Sequence, residues 1–374
     1  MPFLKYLRVS ITIVFLSLIF FLFFDFLFGK LLLEKTNLLT NNQIFKEKRI
    51  RVVHPIYHHT LASNINFKSK WGQDEFFLCT NADGFRIDCK NQNQENQIYD
   101  IAIIGDSFVE GLGINYEKTI SGILEKELNK KIINLGVSSY STSIYLEKIK
   151  FHLENGLKFH HLILFPDISD LHDETNLYIN SNGRILDKKL DKRLEYFTKL
   201  YFPLSNSIIF LLKNLSSNKI DQTFSHKIIR SNNPSYSLYH NTKVEWVLNQ
   251  SNNLNDYDLP KDQAIKNMLR LTDELVDFLK KKNIKLSVVV YPWPQVILNN
   301  TKENIYLETW KNFCKNNCHN FIDTNQIFLN EANKIGKIET VKKYYIYSNM
   351  WWDIHFNPSG QKLVAENILG QFKF

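Results

Sequence analysis

From Ile98 onward, short continuous apolar runs alternate with stretches that carry a helical stripe, and this restricts the chain to a small set of architectures. Ile101-Ala102-Ile103-Ile104 is apolar at every position, the pattern of a strand buried on both faces. Glu117 to Lys130 follows, with Ile120, Ile123, Leu124 and Leu128 spaced along one face of a helix. Ile132-Ile133-Asn134-Leu135 reads as the next strand, Ser143 to Leu157 as the next helix, and Leu162 to Phe165 as a further strand. Downstream, Met268 to Lys282 predicts a helix and Leu286 to Tyr291 the clearest strand of the chain; Phe321-Ile322 starts another, and Gly360 to Phe372 closes with a helix. Strands that alternate with helices pair in parallel, with helices covering both faces of the sheet, so the expected class is α/β.

Residues 1–35 stand apart from this body. Val9 to Gly29 is almost wholly Ile, Leu, Val and Phe, with Asp25 its only charge. At about 1.5 Å per residue such a helix spans a hydrocarbon core of about 30 Å. It lacks the polar stripe of a helix packed on a protein core. No small-residue cleavage site follows, and the apolar run continues through Leu31-Leu32-Leu33, so the expectation is an uncleaved anchor.

Two sets of features bear on sidedness in opposite directions. Lys5 and Arg8 precede the helix, while Lys30, Lys35, Lys46, Lys48 and Arg49 follow it, and positive charge alone would keep the body inside. Against this, the short leading tail has the layout of a signal anchor, and the cysteines fall into two close pairs, Cys79/Cys89 and Cys314/Cys318. Paired local spacing fits two disulfides in an oxidising compartment, the alternative being four unrelated buried thiols; neither pair has the two-residue spacing of a zinc knuckle. The expectation is a single-pass protein of the cytoplasmic (inner) membrane with its body on the periplasmic or extracellular side.

Residues 36–97 lack sustained helical periodicity and read as a lead-in of loops and short strands, with a strand over Phe76 to Thr80 and a turn at Asn81-Ala82-Asp83-Gly84 in which Gly84 supplies a positive φ. The main domain, 98–374, is interrupted at about 175–260 by a stretch rich in Asn, Ser and Tyr, expected as an insertion that is partly helical around Ile208 to Leu215. The 46 Lys+Arg against 38 Asp+Glu give a net charge of +8, but the basic residues lie in scattered clusters such as Lys280-Lys281-Lys282 that read as solvated faces, so no nucleic-acid partner is expected.

Ligands of doubly wound sheets bind beyond the carboxyl ends of the strands, and the first strand of the body ends in Gly105-Asp106-Ser107-Phe108. A serine there becomes a nucleophile only beside a base; otherwise Gly-Asp-Ser is a turn and helix cap. The base is available in Trp351-Trp352-Asp353-Ile354-His355-Phe356-Asn357-Pro358-Ser359-Gly360, just ahead of the last helix, where Asn357 suits the cap and Pro358 the first turn. Residues two apart diverge on a helix, so Asp353 and His355 can act together only from a loop or extended segment. There Asp353 would accept the Nδ1 proton of His355 and leave Nε2 to Ser107.

These two blocks resemble the first and last blocks of the SGNH/GDSL hydrolases. The resemblance covers roughly residues 98 to 374 apart from the insertion, and it implies a flavodoxin-like three-layer sandwich with Ser107, His355 and Asp353 as the catalytic group. The middle blocks depart from the family pattern. Asn134-Leu135-Gly136-Val137-Ser138-Ser139 resembles the second block, with Ser139 where the family has its oxyanion-hole glycine and Gly136 close by. Phe165-Pro166-Asp167-Ile168-Ser169-Asp170 places Ser169 where the family offers an asparagine side chain. The resemblance thus implies an oxyanion hole from the backbone of Ser107 and Ser139, with Ser169 as a third donor. Asp167, Asp170 and Asp173 read as caps of the following helix or as substrate ligands.

What the residues themselves imply is acyl transfer; the resemblance adds an acetylated cell-surface carbohydrate or a lipid ester as substrate, with hydrolase and acyltransferase both open. The altered middle blocks keep a second reading, a non-catalytic glycan-binding or assembly module on the same fold. No cofactor is expected, and His54, His58 and His59 lack the carboxylate or cysteine spacing of a metal site. Trp293, Trp351 and Trp352 sit near strand ends, placed either to stack on a sugar or to pack. His160-His161 precedes a buried strand and reads as structural.

Overall fold

The computed structural model describes residues 2–35, 50–71, 74–91, 98–190, 193–194, 202, 205, 241–299, 304–348 and 351–372. The expected helix at 208–215 lies outside them.

The N-terminal helix runs Pro2–Lys35, and its segment Arg8–Asp25 is apolar and long enough to cross a membrane, a description that a signal sequence also meets. Next come β1 (Arg51–His54) and β2 (His58–Leu61), an antiparallel hairpin. Then follow β3 (Asn66–Trp71), β4 (Asp74–Thr80), β5 (Arg86–Ile87), β6 (Ile98–Gly105), β7 (Ile132–Asn134) and β8 (Lys158–Phe165). A hairpin of β9 (Tyr178–Ser181) and β10 (Arg184–Asp187) lies in the stretch expected as an insertion. β11 (Lys285–Val290), β12 (Asn320–Asp323), β13 (Tyr345–Ser348) and β14 (Trp351–Phe356) complete the strands of the described residues.

Eight strands form one sheet in the order β12-β11-β8-β6-β7-β5-β4-β3. The pairs from β12 to β7 are parallel. Counted in chain order, those parallel strands run 2-1-3-4-5, the flavodoxin-like arrangement, with its topological switch point between β6 and β8. Chain direction across the sheet reverses there. Right-handed crossovers therefore put the helix Ile120–Leu128 on one face and the helices Thr142–Glu154 and Lys261–Lys281 on the other. The last helix, Pro358–Gln371, packs beside Ile120–Leu128, and Lys261–Lys281 packs beside Thr142–Glu154. The middle of the sandwich is sealed: Ile101 to Gly105 and Leu286 to Val290 are buried throughout. Each such Ile or Val is worth roughly 1.5–3 kcal/mol of burial.

The lead-in does more than precede the body, because β3, β4 and β5 continue the sheet antiparallel beyond β7. Gly84 turns between β4 and β5 with φ +77°. Arg86 of β5 is fully buried and donates to the carbonyls of Glu110, Gly111 and Ile114, satisfying the C-terminal end of the helix that carries Ser107. Cys79 is disulfide-bonded to Cys89 and Cys314 to Cys318, with Cα separations of 5.1 and 4.7 Å.

Candidate active site

β6 delivers Ser107 to the switch point. The strand ends at Gly105, Asp106 caps the short helix Ser107–Glu110 by accepting from the Phe108 N–H at 3.0 Å, and Ser107 is the first helical residue. Its hydroxyl is held between two groups: it donates to Asp106 Oδ2 at 3.0 Å and lies 2.7 Å from Nε2 of His355.

His355 arrives from the other end of the chain on β14, half of a separate antiparallel hairpin with β13. Along an extended segment, residues two apart point to the same side, so Asp353 and His355 meet. Asp353 Oδ1 is 2.6 Å from His355 Nδ1 and also accepts the His355 backbone N–H at 3.2 Å. Asn357 then caps the final helix, accepting from the N–H groups of Ser359 and Gly360.

The electrostatics follow from this packing. Burial alone would push the His355 imidazole down, but the Asp353 carboxylate and its hydrogen bond, with Asp106 and Asp167 behind, outweigh it and raise His355 above its ordinary 6.5. Burial likewise works to raise Asp353, and the imidazole outweighs it, so the carboxyl ends below its ordinary value. Asp106 is pushed up to about 7, by burial first and by Asp167 second. The single hydroxyl proton of Ser107 can serve either Asp106 or His355. When it goes to Asp106, Nε2 of a charged His355 donates to the serine oxygen. When His355 is neutral, Nε2 is free to accept that proton.

The second-block loop, residues 136 to 140, runs past this group with most of its N–H groups engaged. Gly136 donates to Asn134 Oδ1 at 2.9 Å, Val137 to the Gly105 carbonyl at 3.4 Å, Ser138 to Glu110 Oε2 at 2.7 Å and Tyr140 to the Val137 carbonyl at 3.3 Å. Gly136 is therefore unsuited to be the nearby donor expected of it. Its glycine identity answers to space, since a Cβ would stand 2.5 Å from Val109 Cγ1 and 2.9 Å from the Glu110 nitrogen. Ser139 is left without a protein acceptor for its N–H among the described residues, and it takes φ +64°, the left-handed conformation that favours glycine.

The third block differs from expectation. Ser169 donates its hydroxyl to Asp167 Oδ1 at 2.6 Å, and its N–H to the same oxygen at 2.7 Å, so its one proton is turned inward. Asp167 and Asp170 do not cap the following helix through their side chains; its N-cap is Ser169, with no side-chain cap bond. Instead Asp167 Oδ2 accepts from Tyr291 Oη and Trp293 Nε1, both at 2.8 Å, and Asp170 accepts from the Asp167 N–H and from Tyr145 Oη. Asp173 pairs with Lys243 at 2.6 Å. Trp293, a stacking candidate in the sequence, is buried beneath the site and closed to any sugar. Burial first, then Asp167 and Asp106, raise Asp170 well above the ordinary carboxyl range.

Several supporting residues carry no motif. Arg51 of β1 holds Glu110 at 2.6 Å, and His59 of β2 lies 2.8 Å from the Ser138 carbonyl, so the first hairpin braces the second-block loop. His58 bridges His59 and Asp187, and His161 meets Ser287 inside the sheet. Among the described residues, no cluster of three or more His, Cys, Asp or Glu side chains is arranged to hold a metal ion. Trp352 is half-buried.

A flavodoxin-like α/β sandwich with a hydrogen-bonded Ser-His-Asp chain at its switch point is the class of protein that fold and site define. No protein-family model matches the sequence, and no curated relative does. Solved structures that the chain resembles include proteins of GDSL type and esterases. A member of the lipolytic G-D-S-L family from Veillonella parvula is 12% identical with a TM-score of 0.38, over 74% of this chain and 98% of that one. An acetylxylan esterase from Geobacillus stearothermophilus is 13% identical with a TM-score of 0.36, over 73% and 93%. A psychrotrophic esterase from Pseudoalteromonas sp., solved with monoethylphosphonate, is 10% identical with a TM-score of 0.36, over 74% and 96%. The class rests on the strand order and the hydrogen-bonded site.

Proposed function

We propose that this chain is an SGNH-type serine ester hydrolase or acyltransferase, held by its N-terminal helix in the cytoplasmic membrane with the body on the outer, periplasmic side. One observation carries the chemistry: Ser107 Oγ, His355 Nε2 and Nδ1, and Asp353 Oδ1 form a continuous chain with links of 2.7 and 2.6 Å. In the reaction Ser107 Oγ attacks the ester carbonyl while its proton passes to Nε2 of neutral His355. The charge that develops on the carbonyl oxygen is met by the backbone N–H groups of Ser107 and Ser139. His355 then returns the proton to the departing alkoxide, leaving an acyl-Ser107 ester. Water, or a hydroxyl of a second carbohydrate, attacks that ester with His355 again as base. Asp353 keeps the imidazole in the tautomer with Nδ1 protonated and balances its charge.

The two disulfides support a body in an oxidising compartment. The finer reading of substrate is an acetylated cell-surface polysaccharide, for which the membrane tether keeps the enzyme beside nascent chains; a lipid ester is the other candidate. The test uses full-length protein in detergent with p-nitrophenyl acetate, a fluorophosphonate probe and Ser107→Ala as control. Turnover and labelling by wild type alone are expected. Equal rates for the two proteins would replace the enzyme by a glycan-binding module, and labelling without turnover would select the transferase lacking its acceptor.

A further inference from the structure

Asp353 has a second partner, drawn from the lead-in. Its Oδ1 serves His355, while its Oδ2 accepts a hydrogen bond from Nε1 of Trp71 at 2.9 Å, across a sequence separation of 282. Trp71 ends β3, the outermost strand of the antiparallel extension. Its ring also stands edge-on to the His355 imidazole, with centroids 5.7 Å apart and planes at 84°. Room for the indole is made by Gly113, in the turn after the helix of Ser107. Gly113 has φ +77°, and a Cβ there would press within 3.2 Å of Trp71 Cβ and Cδ1. Thus β3 and β14 meet at one carboxylate, and the turn at Gly113 packs against the indole that reaches it.

The geometry points to Trp71 as a positioning residue for the acyl-transfer reaction, an inference that rests on the esterase reading above. An indole N–H donates and never accepts, so it fixes which carboxylate oxygen faces outward and which faces the imidazole. Asp353 is largely enclosed, and a buried carboxylate oxygen deprived of its donor turns toward any other polar group or toward water. Rotation of the carboxylate would break the Oδ1 contact that aligns Nδ1, and Nε2 would lose its aim at Ser107. The edge-on ring opposes the same movement from the imidazole side. The antiparallel extension thereby helps to orient a catalytic group whose three members all lie within residues 98–374.

The test compares Trp71→Phe, which keeps an aromatic ring and removes the donor, with wild type in full-length protein, using p-nitrophenyl acetate turnover and fluorophosphonate labelling rate. The expected result is a fall in kcat of about 10- to 100-fold with little change in KM, together with loss or broadening of the low-field His355 Nδ1 proton resonance. The decisive reading is a cycle with Asp353→Asn: in that background Trp71→Phe should slow labelling less than threefold, because the group it acts through is already altered. Full additivity of the two substitutions, or an unchanged kcat in Trp71→Phe, overturns the role. If Trp71→Phe does not fold, Trp71→Leu, which also removes the donor, is put through the same cycle, and the same additivity criterion decides. A wild type that neither turns over nor labels would instead refute the esterase reading, which keeps the two failures distinct.

Discussion

Nε2 of His355 lies 2.7 Å from the hydroxyl of Ser107 although the two residues are 248 positions apart, one at the end of the first parallel strand and the other on the last hairpin. Their contact closes the α/β body on itself, so a substitution at either end should be felt in chemistry before it is felt in stability.

Ser107→Ala and His355→Ala are expected to lower kcat/KM for an acetyl ester by on the order of 10⁴-fold or more, as removal of one member of a cooperating group does. Fluorophosphonate labelling should vanish in Ser107→Ala. Melting temperature, followed by circular dichroism, should move little in Ser107→Ala.

The raised value of His355 sets the pH dependence. General-base action needs the neutral imidazole, so kcat/KM should climb along a limb lying above pH 6.5. A base raised in the folded state contributes stability that is complete below its unfolded value and is lost as pH rises through the folded one. The melting temperature contributed by this group should therefore decline over the window in which activity appears. Asp353→Asn removes the charge that opposes burial, which moves the limb to lower pH and reduces kcat on the order of 10⁴-fold. Parallel pH series of rate and melting temperature check both parts.

Asp170 is an acid raised well above its ordinary value by burial, then by Asp167 and Asp106. The sign is opposite to that of a salt-bridged carboxylate: its contribution is fully present below the unfolded value and lost as pH rises toward the folded one. Asp170→Asn should thus gain melting temperature relative to wild type at pH 8 compared with pH 5, on the order of 1–3 °C. A difference between variant and wild type that is flat with pH would refute a raised Asp170 carboxyl in the folded state.

Ser139 occupies φ +64° where glycine is at ease. Ser139→Gly is expected to stabilise the fold by about 1 kcal/mol and to preserve activity. Ser139→Pro removes the N–H and cannot take that φ, so it should cost about 10²–10³-fold in kcat if this backbone group meets the oxyanion. Denaturant midpoints and initial rates measure the two effects separately.

The Cys79–Cys89 bond closes a loop across a sequence separation of 10, and its reduction should cost about 2–3 kcal/mol. The Cys314–Cys318 bond, with a separation of 4, should cost less. Thiol counting on protein taken from its native cells tests the compartment directly, since four free thiols would place the body on the cytoplasmic side.

What the sequence determined by itself is the part governed by short-range physics. Continuous apolar runs mark β6 and β11 because both faces of those strands are covered, and the 3.6-residue stripe marks the helices Ile120–Leu128 and Lys261–Lys281. Asp353 and His355 were legible as a pair because two-residue spacing in an extended segment needs no information from elsewhere. Asn357-Pro358 likewise announces its helix through its own cap. The lead-in read as loops and short strands because β3, β4 and β5 pair with their chain neighbours, while their join to the parallel sheet runs through Arg86 opposite Asn134, a distant partner that local pattern does not encode. For the same reason nothing near Trp71 points to Asp353, nothing near Arg51 to Glu110, and nothing near Tyr291 or Trp293 to Asp167. Ser169 turns to Asp167, two residues before it, because a hydroxyl rotates to the strongest acceptor within reach; only tertiary structure decided that this carboxylate is held in place by Tyr291 and Trp293, from more than a hundred residues along the chain.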